Sequence, residues 1–128
     1  MASHLNPTAA ELAILRALWT LKTGTVRQVH EALTAAGSDV GYTTILKLLQ
    51  IMTEKGLVVR DDSRRTHVYQ AAFAQEQTQR RLVADLLKKA FDNSAQKLVM
   101  QALSAKKASK AELREIRKLI DQMEKEAP

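Results

Sequence analysis

Cysteine is absent from the 128 residues. Without it there is no disulfide framework, no thiolate nucleophile and no cysteine-bound metal, and a reducing compartment is the natural setting. Proline is also scarce, with two, and aromatic residues make up only 4%. Ala, Leu, Lys and Gln dominate in their place, a composition that favours helix. No apolar run approaches the roughly 18 residues of a membrane span. The N-terminus lacks a basic segment followed by a hydrophobic stretch, so a soluble, cytoplasmic protein is expected. Glycine-rich phosphate loops, a GxSxG elbow, a DxDxDG calcium loop and HExxH spacing are all missing. His4, His30 and His67 stand far apart, and Ser, His and Asp show no triad order, so no metal, cofactor or catalytic activity is expected.

What is present is enough apolar material, 45%, for a core, and a net charge of +6. A basic chain raises the prospect of a polyanionic partner. The excess is not concentrated: residues 1–73 hold eight Lys/Arg against six Asp/Glu, and residues 74–128 twelve against eight. A nucleic-acid reading must therefore rest on where the side chains sit.

"TAAE" at Thr8–Glu11 is a capping box and opens a first helix to about residue 21, with Leu12, Leu15, Leu18 and Trp19 on one face. That stripe makes Trp19 a core residue sooner than a stacking platform. Gly24 is expected to stop this helix. Thr25 then caps a second one that buries Val26, Val29 and Leu33 and stops at Gly37. The third runs from the Gly41 region to Gly56, with Ile45, Leu48, Leu49 and Met52 inward. After it the period changes to that of strands. "LVVR" and "THVYQ", joined by "DDSRR", predict a hairpin. Three helices and a hairpin are the order of a winged helix-turn-helix domain, with the third helix in the recognition position.

The outward face of that third helix carries Thr43, Lys47, Gln50 and Glu54, flanked by Leu46 and Ile51. Hydroxyls, an amide and a cation suit base edges and phosphates in a major groove, and an exposed Leu46 suits a thymine methyl. The competing reading is an ordinary solvated face with a stray leucine. Thr25, Arg27 and Gln28 open the helix that usually positions phosphate. Tyr42 either meets a phosphate through its hydroxyl or braces the third helix. Arg64 and Arg65 mark the wing tip, where they contact DNA or stay solvated, with Asp61 and Asp62 nearly neutralising them.

From residue 74 onward the pattern is wholly helical. One helix carries Leu82, Val83, Leu86, Leu87 and Phe91, a second Leu98, Val99 and Leu103. A third opens on the Ser109/Glu112 capping box with Leu113, Ile116, Leu119, Ile120 and Met123. Some fifty residues in three helices do not close a good core alone, so a second copy should cover the apolar faces. The expected fold class is thus mainly α: a winged-helix domain with a small β-hairpin wing over residues 1–73, then an all-helical dimerisation domain over 74–128. Leu86, Phe91, Val99, Leu113, Ile116, Leu119 and Ile120 are the interface candidates.

"LNPTAAELAILRALW", "TVRQVHEAL", "YTTILKLLQIMTEKGLV" and "RRTHVY", in that order, resemble the BlaI/MecI/CopY family of penicillinase-repressor regulators, and the likeness extends through the helical tail. The resemblance implies a homodimeric repressor of transcription on a palindromic, double-stranded operator with TACA/TGTA-type half-sites. Carried over by position, the reading residues are Thr43, Thr44, Leu46, Lys47 and Gln50, with Arg64 and Arg65 on the wing. It also implies release through a membrane sensor metallopeptidase and a cut in the tail. The Asn–Phe bond of the best-known members aligns with Gln101–Ala102, where the residues differ. The copper-sensing branch needs a C-terminal cysteine cluster that this chain does not have. Rival readings are a winged helix that docks protein through Leu46 and Ile51, a MarR-type ligand sensor, and a small hydrolase.

Overall fold

A computed structural model describes residues 6–128; His4 lies outside them. The elements run α1 (Ala9–Leu21), α2 (Val26–Ala35), α3 (Tyr42–Lys55), β1 (Val58–Asp61), β2 (Val68–Ala71), α4 (Gln75–Ala90), α5 (Ala95–Ala105) and α6 (Lys110–Glu126). They fall into two compact units, one ending at Ala84 and the other running from Asp85 to Pro128.

The first unit is a winged helix. Its core joins Ile14, Leu15 and Leu18 of α1, Val26 and Val29 of α2, and Ile45, Leu49 and Met52 of α3 to Leu57, Val58 and Tyr69 of the hairpin. Thr8 and Thr25 cap their helices as expected, and Thr25 also forms a full box with Gln28. Thr8 Oγ1 accepts the Glu11 amide and Thr25 Oγ1 the Gln28 amide, while each N3 side chain returns to the cap N–H. Gly56 ends α3 in the left-handed region at φ 80°, which glycine adopts without a Cβ penalty. Its N–H reaches the Met52 and Thr53 carbonyls. The strands pair antiparallel from Val58 opposite Ala71 to Asp61 opposite Val68.

Three local expectations change. The buried stripe of α1 is centred on Glu11, Ile14, Leu15 and Leu18, while Leu12 and Trp19 are half-buried at its margins. Gly24 does not end α1. Lys22 takes the positive φ of 74° at the cap, and Gly24 instead exchanges backbone hydrogen bonds with Tyr69 at 2.9 and 2.8 Å. A Cβ on Gly24 would lie 3.3 to 3.4 Å from Leu21, Leu18 and Val29, so closeness is the reason for glycine there. Leu46 and Ile51 are half-buried and not free on the surface, and Leu46 packs against the core.

The start of α4 is tied to α1. Trp19 Nε1 donates to the Phe73 carbonyl at 2.9 Å, and the Arg81 guanidinium lies 4.3 Å from the centre of the Phe73 ring. Thr78 is the last buried residue of the described chain.

The second unit is helical throughout. α5 opens on Ser94, whose Oγ accepts the Lys97 amide, and α6 opens on the Ser109/Glu112 capping box. Among the described residues no helix is long and apolar enough to cross a membrane.

Candidate nucleic-acid interface

Helix α3 turns Ile45, Leu49 and Met52 to the core and a polar face outward. Thr43, Thr44, Lys47, Gln50 and Glu54 are all exposed, as the 3.6-residue period requires once Ile45, Leu49 and Met52 are inward. The cap residue of α3 is Gly41, which offers no side-chain acceptor, so the first N–H groups of this helix keep no side-chain partner from the cap. Tyr42, the first helical residue, is 48% exposed. Its ring meets the edge of His30 from α2, centroids 6.1 Å apart at 79°. Through that contact the Tyr42 ring braces α3 against α2.

Between α2, α3 and the wing lies a cleft of about 1030 Å³. Thr25, Arg27, Tyr42, Leu46 and Arg65 line it, together with His30, Glu31, Thr66 and His67. The structure thus gathers expected site residues from three separate sequence segments around one concavity. Thr43, Thr44, Lys47 and Gln50 lie on the exposed face of α3 and Arg64 on the wing loop, outside the lining itself. Thr25 already accepts Gln28 N–H in its capping box, which leaves its hydroxyl proton for another acceptor; Gln28 is folded back onto the Thr25 amide.

The electrostatics of the wing differ from the expectation. Asp62 does not neutralise the tip arginines, because it is bound by Arg60 Nε at 2.7 Å, with His67 Nε2 at 3.6 Å. That pairing, helped by a hydrogen bond to Tyr69, holds the Arg60 guanidinium even more firmly protonated than usual. Asp61 accepts the Ser63 amide at 2.9 Å. The Ser63 hydrogen bonds keep its carboxyl below the ordinary range, with Arg64 adding a smaller push. Among the described residues Arg64 and Arg65 form no ion pair within 4.0 Å.

In the tail, Leu86, Val99, Leu113, Leu119 and Ile120 are exposed large apolar residues, and Phe91 and Ile116 are half-buried. Gln101 and Ala102 are exposed within α5. No group of three or more His, Asp or Glu among the described residues could hold a metal ion.

Sequence reasoning set the histidines aside once no metal spacing was found, and so missed that His30 and His67 share the cleft. Nothing local signals this, since one lies on α2 and the other on the wing. It missed the Arg60–Asp62 pair for a related reason, assigning Asp62 to its arginine neighbours in the turn.

Among solved structures the chain is similar to a ferric uptake regulator from Pseudomonas aeruginosa with manganese, at TM-score 0.49 and 23% identity over 70% of this chain and 82% of that one. In sequence it is 37% identical over 93 residues to the transcriptional regulator BlaI of Mycobacterium tuberculosis, in the strains CDC 1551 / Oshkosh and ATCC 25618 / H37Rv. That match takes in 70% of this chain and spans 65% of the length of those relatives. The family model of the penicillinase repressor matches residues 7–122, nearly the whole chain, and the chain therefore belongs to the penicillinase repressor family.

Proposed function

We propose that the chain is a homodimeric transcriptional repressor that places α3 in the major groove of a palindromic operator. The observation that carries this is the exposed polar face of α3, bordered by the cleft that Arg27 and Arg65 line. Lys47 and Gln50 read base edges, Thr43 and Thr44 serve bases or phosphates near the helix start, and Arg64 and Arg65 meet the backbone. Membership of a repressor family supports the assignment, as does the printed name of the mycobacterial relatives. The exposed apolar residues of α4 and α6 support pairing through the tail.

Replacing Lys47 with Ala should weaken binding to a TACA/TGTA palindrome by roughly tenfold, within the range for one good side-chain contact. The oligomeric state in sedimentation should not change. Unaltered affinity in a gel shift would remove α3 from the interface.

Docking of another protein through Leu46 and Ile51 gains no support from their half-buried state, because little apolar area is left there to cover. Release fits the family pattern of an upstream membrane metallopeptidase, acting on the tail near Gln101–Ala102. That bond sits inside α5, so the helix must unwind locally before an extended-substrate protease can reach it.

A further inference from the structure

Two histidines border the cleft with no part in the reading above. His30 comes from α2 and His67 from the wing, just before β2, and Arg27 and Arg65 stand on the same lining. Both are within reach of a ligand. His30 is half-buried with its ring against Tyr42, and the His67 side chain is 47% exposed.

The charged and titratable groups around them come from all three elements. On α2 they are Arg27 and Glu31, on α3 Tyr42, and on the wing Arg65 and the buried Tyr69. Asp62 faces His67 from outside the lining, at 3.6 Å, but is held more closely by Arg60 at 2.7 Å. Along its own wall the cleft therefore sets two guanidiniums against the single carboxylate of Glu31. A ligand with repeated negative charge suits that balance.

We propose that this cleft seats the sugar–phosphate backbone of the bound duplex and that His30 and His67 join Arg27 and Arg65 as phosphate contacts, so that the grip on DNA tightens as the solution becomes more acidic. The inference rests on the DNA-binding reading. Imidazole is the side chain that ordinarily changes charge between about pH 5 and pH 8. Once protonated it donates from both nitrogens and has no lone pair left to repel an anion. A phosphate beside it favours the charged form, so the complex takes up protons and affinity rises as pH falls. Each added cation on a phosphate also releases counterions and steepens the salt dependence, by a slope of about 0.9.

The test is fluorescence anisotropy with a labelled duplex of mixed sequence, since backbone contacts need no operator. The salt dependence is measured near pH 6 and near pH 8, spanning the imidazole range. Wild type should bind more tightly at the lower pH, with a salt slope steeper by roughly one to two. His67→Gln should remove part of that pH difference and the double variant His30→Phe/His67→Gln most of it. His30→Phe keeps a ring against Tyr42, and His67 lies in an exposed loop, so neither change attacks the core. A double variant that kept the full pH difference, or a wild-type salt slope identical at the two pH values, would overturn the proposal and leave the repressor reading standing. A wild type that bound neither this duplex nor a TACA/TGTA palindrome at either pH would overturn both.

Discussion

Glu11 shows how one side chain ties a local signal to a distant one. It is 1% exposed, closes the α1 capping box on Thr8, and accepts Lys55 Nζ at 2.8 Å from the last residue of α3. Burial pushes its carboxyl up. The Lys55 hydrogen bond, the Thr8 amide and the Lys55 charge together outweigh burial and hold it below the usual range. A depressed folded pKa gives a contribution that is complete above the ordinary glutamate range and is lost as pH falls through the lower folded value. Lys55→Met should therefore destabilise the winged unit near neutral pH by about 2 kcal/mol. That is less than the roughly 3–5 kcal/mol for a fully buried pair, because the Lys55 side chain is still 27% exposed. Urea denaturation should show a lower midpoint at unchanged slope, and the gap to wild type should close in acid. The capping half of Glu11 was legible from three residues of sequence. The Lys55 half was not, because those partners are 44 positions apart and only the packing of α1 against α3 brings them together.

Elements were legible where their signals are short-range. Thr8 and Ser109 each marked a helix start by a partner three residues on and Thr25 marked one as a cap; all three form boxes, Thr25 with Gln28. The hairpin was announced by its change of period, although its strands start and stop one or two residues away from the expected runs. Gly24 misled because a glycine after a helix usually ends it, whereas here its backbone pairs with Tyr69 and a Cβ would crowd the Leu21, Leu18 and Val29 side chains. Leu46 misled because helical period gives a direction without saying which neighbour waits there. The junction of α1 with the start of α4 was also invisible, since nothing in the sequence pairs Trp19 with Phe73. Trp19→Phe keeps an aromatic body and removes the donor to the Phe73 carbonyl. It should cost about 1 kcal/mol, the ordinary worth of one hydrogen bond, read as a few degrees of melting temperature.

For the whole molecule the decisive fact is distributional. Every buried residue among those described lies at or before Thr78, and the remaining fifty residues have none. Amphipathic stripes are local and can be read from helical period, while what covers them is a matter of another surface: Leu86, Val99, Leu113, Leu119 and Ile120 are exposed, and Phe91 and Ile116 are half-buried. Leu119, 54% exposed on α6, offers a clean probe. Leu119→Glu introduces charge where the lone chain is solvated, so the protomer should keep its fold while the pair separates. Sedimentation should then report single chains, and affinity for a palindrome should fall roughly a hundredfold as the two half-sites lose their linkage. A variant that still sedimented as a pair would move the contact away from α6.

The unburied tail also bears on how such a protein would respond to its own supply. When a second copy must complete an element, paired species at scarcity vary with the square of the amount of chain. For the proposed homodimeric repressor, halving synthesis would then empty the operator more than in proportion, giving a threshold from mass action alone.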